Sequence, residues 1–167
     1  QRFKTLLQGN VDAIYFNEKL YIGKREEVFV YNESTGNFDL YYHLAGKDIT
    51  LSCLHLDEKK NLWMGTTSNG LYCLSGDKKI SQPVTRGNIA SIYEDSSKEL
   101  WICTWEEGLY RIKTDGTIEN FRHDPKNPNS ICADFVRSCC EDNAGNLWIG
   151  TFHGLNRYEK STGKFRS

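Results

Sequence analysis

Asp142-Asn143-Ala144-Gly145-Asn146-Leu147-Trp148-Ile149-Gly150-Thr151 decides the reading of this chain, because the same ten-residue phrase returns along it in altered copies. It reads as an acidic strand end, a tight turn with Gly145-Asn146 at its tip, and a strand whose Leu147, Trp148 and Ile149 are apolar and β-favouring. That is a hairpin. Earlier copies are Asp57-Glu58-Lys59-Lys60-Asn61-Leu62-Trp63-Met64-Gly65-Thr66 and Asp95-Ser96-Ser97-Lys98-Glu99-Leu100-Trp101-Ile102-Cys103-Thr104, with a shortened one at Asn17-Glu18-Lys19-Leu20-Tyr21-Ile22-Gly23.

Around each copy the chain supplies a preceding strand and two following ones, so units of four short strands are expected at roughly 11–43, 49–84, 89–123 and 135–167. Residues 1–7 are expected to be a strand of a neighbouring or closing unit. Between the equivalent Leu20, Leu62, Leu100 and Leu147 the period is 42, 38 and 47 residues, and no stretch shows helical periodicity. Four short strands per repeat of about 40 to 50 residues mark a β-propeller blade. The expected fold is all-β: four four-stranded antiparallel blades in one domain over 1–167. A four-stranded sheet has two faces, and neither is buried until another sheet stacks on it. Tyr21, Trp63, Trp101 and Trp148 share one register and are expected to fill the spaces between blades. At 150–250 Å² per ring, burial of each contributes at most about 4–6 kcal/mol.

Bulk composition excludes several classes of partner. The 167 residues carry a formal net charge of -1 and 13% aromatics, which leaves no basic field for nucleic acid or for an anionic membrane surface. No apolar run reaches bilayer length, so contact with a membrane is expected only through segments outside this chain. The six cysteines, at 53, 73, 103, 132, 139 and 140, lack a framework spacing and read as small buried residues. Cys139 and Cys140 are strand neighbours that point to opposite faces and cannot grip one ion together. No metal or cofactor is expected.

Asp142 to Thr151, followed by Gly154-Leu155-Asn156-Arg157-Tyr158 and preceded by His123-Asp124-Pro125-Lys126-Asn127-Pro128-Asn129-Ser130-Ile131, closely resembles the two-component regulator propeller repeat. The resemblance covers nearly the whole chain. It implies the periplasmic sensor region of a bacterial hybrid two-component histidine kinase, in which seven-bladed propellers precede a membrane helix and a kinase, and it implies detection of oligosaccharides from polysaccharide breakdown. Four units against a usual seven suggest an open arc of a longer ring, a four-bladed closure or a pairing of two arcs. An arc exposes two apolar faces, so self-association is expected. Lys60 and Lys98 stand where the turn glycine belongs, and Cys103 where the strand glycine does.

Asp57, Asp95 and Asp142 are carboxylates, and paired acids hydrolyse glycosides. Their recurrence at one hairpin corner gives them instead the role of accepting N–H bonds in the turn. Ligand contacts are expected at the opposite rim, where the loops between second and third strands emerge beside the blade connectors. Arg25, Trp105, Glu106, His153 and Arg137 are the candidates there. Trp105 is the one tryptophan off the blade register, placed beside acids as in sites that stack sugar rings. The rival readings are a propeller lyase or glycosidase, requiring Glu106 or His153 for turnover, and a protein-interaction propeller that ignores sugars.

Overall fold

The computed structural model describes residues 7–46, 48–84 and 86–167; apart from Leu7, the strand expected at 1–7 lies outside them. Sixteen strands are found among the described residues. They are β1 (Ala13–Asn17), β2 (Lys19–Lys24), β3 (Glu27–Asn32), β4 (Asn37–His43), β5 (Leu51–Leu56), β6 (Leu62–Thr66), β7 (Leu71–Leu74), β8 (Ile80–Val84), β9 (Ile89–Glu94), β10 (Leu100–Thr104), β11 (Leu109–Ile112), β12 (Ile118–Phe121), β13 (Val136–Glu141), β14 (Leu147–Thr151), β15 (Gly154–Glu159) and β16 (Lys164–Arg166). Each consecutive four form one sheet in sequence order, antiparallel throughout. The result is an open arc of four propeller blades.

Period-two alternation within the repeated phrase explains how the blades stack. In the second blade Leu62 and Met64 share a core with Tyr21 and Val28 of the first, whereas Trp63, between them in sequence, packs with Leu100, Ile102 and Ile112 of the third. The pattern then moves on one blade. Trp101 packs with Leu147, Ile149 and Tyr158 of the fourth blade, its ring 5.1 Å from Tyr158. Leu and Ile therefore look back, and Trp looks forward. Trp148 obeys the same register but faces outward from the fourth blade, only partly buried, so the expectation that every anchor fills a space between blades holds for Tyr21, Trp63 and Trp101 alone. At the other end of the arc Ile14, Phe16 and Leu40 of the first blade lie exposed.

Turn chemistry sets the ends of the strands. Lys60 and Lys98 adopt φ of 62° and 64°, the left-handed conformation that Gly145 adopts at 80°, so the turn keeps its shape without its glycine at a steric cost. Gly70 and Gly108 start the third strands against the carbonyl oxygens of Val84 and Phe121, where a Cβ would collide. Gly154, at the equivalent place in the fourth blade, has open space where its Cβ would stand.

Candidate functional site

One rim of the arc is held by polar atoms of the repeat itself. Asp57, Asp95 and Asp142 each accept the indole N–H of the tryptophan six residues on, at 2.9, 3.0 and 2.8 Å. Each also accepts backbone N–H bonds within its turn, from Asn61, from Ser97 and Glu99, and from Ala144 and Asn146. The turn bonds were legible from the sequence; the indole bond was not, although the constant spacing of 57/63, 95/101 and 142/148 carried the signal. The Trp148 indole, with Asn146, draws the Asp142 carboxyl down to about 2. Burial works against ionisation of Asp95, but the Trp101 indole and the Lys160 ammonium outweigh it and hold that carboxyl below its ordinary range. Lys160 lies between Asp95 at 2.9 Å and Glu141 at 2.6 Å, clamping the third blade to the fourth. A groove of about 370 Å³ opens on this rim between the second and third blades, lined by Asp57, Glu94, Lys98 and Thr114.

The opposite rim carries the loops. Thr66, Thr104 and Thr151, the last residues of the phrase, each donate their hydroxyl to a carbonyl three or four residues on (Gly70, Gly108, Gly154) and accept a loop N–H from Asn69, Glu107 and His153. Connectors are stitched to these loops by backbone bonds, among them Trp105 N–H to the Asn88 carbonyl and Phe152 N–H to that of Phe135. Loop and connector therefore form one surface.

On that surface the structure brings Trp105 and Arg137 together and places His153 at the far end of an aromatic row that starts at Trp105. Trp105 is 39% exposed; its ring lies 5.6 Å from that of Phe135, which lies 5.9 Å from Phe152, itself 6.1 Å from His153. The Arg137 guanidinium stands 5.6 Å from the Trp105 ring centre, within cation–π range. Arg137 gets there through a β-bulge: pairing jumps from Val136↔Thr151 to Ser138↔Gly150, leaving Arg137 as the extra residue, and such a residue is re-aimed out of the ladder. Ser52 and Ala90 are the extra residues at the same place in the second and third blades. Phe135 and Phe152 complete the platform; neither is among the candidates the sequence offers.

Glu106 is exposed in the same loop, where its carbonyl accepts an N–H of Arg122. Glu107 is committed to Arg122 at 2.7 Å, which also holds Asp134 at 2.8 Å. Arg25 does not join the group. It lies on the first blade with φ of 52°, its backbone N–H bonded to Asp12, beside shallow grooves of about 370 and 250 Å³.

Among solved structures the chain is similar to the extracellular domain of a putative hybrid two component system from B. thetaiotaomicron, at 22% identity and a TM-score of 0.73 over 93% of this chain and 21% of that one. A second such domain from the same organism gives 27% identity and a TM-score of 0.67, over 83% of this chain and 18% of that one. A catalytically inactive virginiamycin B lyase from Staphylococcus aureus gives 17% identity and 0.72, over 93% and 54%. The chain thus spans about a fifth of the length of the extracellular domains it resembles. No curated protein matches it. Residues 84–106 and 130–153, which hold Trp105, Glu106, Arg137 and His153, match the family model described as two component regulator propeller. In these two stretches, one in the third blade and one in the fourth, the arc is similar to the two component regulator propeller repeat.

Proposed function

We propose that the chain is a non-catalytic, ligand-sensing part of a membrane-bound hybrid two-component sensor histidine kinase, set on the periplasmic side, and that its ligands are oligosaccharides from polysaccharide breakdown. The observation that carries the reading is the Trp105–Phe135–Phe152 platform with Arg137 over the indole face. Exposed aromatic faces stack on sugar C–H surfaces, and polar groups beside them hold hydroxyls. The extracellular sensor domains that the chain resembles support the setting. The platform spans the third and fourth blades, so a ring seated there touches both. Its affinity then depends on their arrangement, as a ligand that shifts an equilibrium requires. A non-catalytic role is supported by the three recurring carboxylates, each already accepting an indole and backbone N–H bonds.

Calorimetric titration of the purified protein with a panel of neutral and acidic oligosaccharides tests this reading. At least one should bind saturably, and Trp105→Ala should weaken it at least about tenfold, a loss of ~1.4 kcal/mol, with circular dichroism unchanged. Binding untouched by Trp105→Ala moves the site elsewhere, and a panel without binding refutes the ligand class. The likeness to the lyase keeps a catalytic alternative: turnover of a bound polysaccharide that is abolished by His153→Ala or Glu106→Gln would replace the sensor reading.

A further inference from the structure

Cys103 stands where the neighbouring copies of the phrase have Gly65 and Gly150. Its side chain is fully buried in the core between the third and fourth blades, and the sulfur of Cys139, on β13, approaches it to 3.6 Å across that interface. Among the described residues no other two thiols are in contact. Cys140 is exposed on the far face of its strand, Cys132 is engaged by Thr151 and Asn156, and Cys53 sits beside Ser52.

We infer that Cys103 and Cys139 are a disulfide-forming site that staples the third blade to the fourth. A disulfide is about 2.05 Å long, so the sulfurs, 3.6 Å apart, must close by about 1.5 Å. The chemistry is two-electron exchange with a dithiol–disulfide oxidant. One thiolate attacks the oxidant's disulfide and forms a mixed disulfide with it. The second thiolate then attacks the protein sulfur of that bond, which leaves Cys103–Cys139 joined and two reduced thiols on the oxidant. In the folded protein the Cys103 contact and burial push the Cys139 thiol well above its ordinary range, so the staple closes while the chain folds and the thiols are still reachable. Cys103 lies two residues before Trp105 and Cys139 two after Arg137, so closure fixes the spacing of the rim platform; this consequence rests on the ligand reading, and the staple itself does not.

The test refolds the reduced, denatured chain either in a mixture of oxidised and reduced glutathione or with excess dithiol, then alkylates under denaturing conditions and counts thiols by mass. The glutathione sample should carry two fewer alkylated thiols, yield linked peptides containing Cys103 and Cys139, and melt at a higher temperature until reductant is added. Cys140→Ser should keep the link and Cys139→Ser should lose it. Six alkylated thiols after oxidative refolding, a link between any other pair, or a linked chain no more stable than the reduced one would overturn the staple. Loss of saccharide binding in both redox states would count against the ligand reading alone.

Discussion

Replacing Trp101 and Trp148 in parallel tests the forward-facing logic of the blades, because the same residue in the same phrase meets a full interface in one case and an open face in the other. Trp101 is 0% exposed and packed by Phe121, Tyr158 and Arg111. Trp101→Ala removes a fully buried ring and leaves a cavity, a loss of about 3–5 kcal/mol, a large share of the ~5–15 kcal/mol that holds a domain together. Trp101→Phe keeps most of the buried area but removes the indole donor to the buried Asp95 carboxylate, and bonds to charged groups contribute about 1.5–3 kcal/mol. Trp148 keeps its bond to Asp142 but packs against no following blade, so Trp148→Ala should cost no more than about 1–2 kcal/mol. Urea unfolding followed by circular dichroism gives all three from the shift of midpoint at constant slope. The expected order of loss is Trp101→Ala, then Trp101→Phe, then Trp148→Ala. Equal losses for the two alanine variants would refute the register.

Three further outcomes follow from the same geometry. Asp95, Asp142 and Glu141 have carboxyls below their ordinary values, so the stability they supply is present above the unfolded carboxylate range of about 4 and is lost as pH falls through the folded values, about 2 for Asp142. Thermal midpoints across that window should fall, and carboxyl NMR should show Trp148→Phe raising the Asp142 titration toward its usual place. Lys60→Gly should stabilise the protein by about 0.5–1 kcal/mol in urea titrations by relieving the left-handed backbone at φ 62°; a loss would show that the turn is held by the Lys60 side chain. The exposed Ile14, Phe16 and Leu40 of the first blade should drive concentration-dependent self-association in sedimentation velocity, weakened by Phe16→Asp; a monomer at every concentration would contradict it.

The blades were legible because their information is local. An Asp, a turn and a Leu-Trp-Ile alternation specify a hairpin within ten residues, and period two assigns Leu147 to one face and Trp148 to the other before any partner is known. What eluded the sequence depends on geometry between segments. The indole bond to Asp95 needs a folded turn to bring residues six apart within 3.0 Å. The place of Arg137 depends on a bulge, which is a property of pairing with β14 and leaves no mark in composition. The contact of Cys103 with Cys139 spans 36 residues and two blades. Arg25 was grouped with Trp105 because both follow a second strand, yet they stand on the first and third blades.

The division between the two rims follows from how the repeated phrase uses its polar atoms. At the hairpin end the Asp carboxylate takes an indole and turn N–H groups in each of three blades, and at the loop end the Thr hydroxyl both donates and accepts. A phrase whose donors and acceptors are matched internally has little left to offer a ligand, and it can be copied from blade to blade without altering recognition. The loops after that threonine are free to differ, and they do: Thr67-Ser68-Asn69, Trp105-Glu106-Glu107 and Phe152-His153 share no residue. A constant frame with varying loops lets each blade present its own surface. On that basis exchange of the Trp105-Glu106-Glu107 loop for Thr67-Ser68-Asn69 should abolish saccharide binding in calorimetry, because the platform loses the indole over which Arg137 stands. It should leave the unfolding free energy from urea titration within about 1 kcal/mol, since the Thr104 bonds to the loop backbone survive the exchange and the lost Arg122–Glu107 pair lies at the surface. Retained binding in the exchanged protein would show that recognition resides in the frame after all.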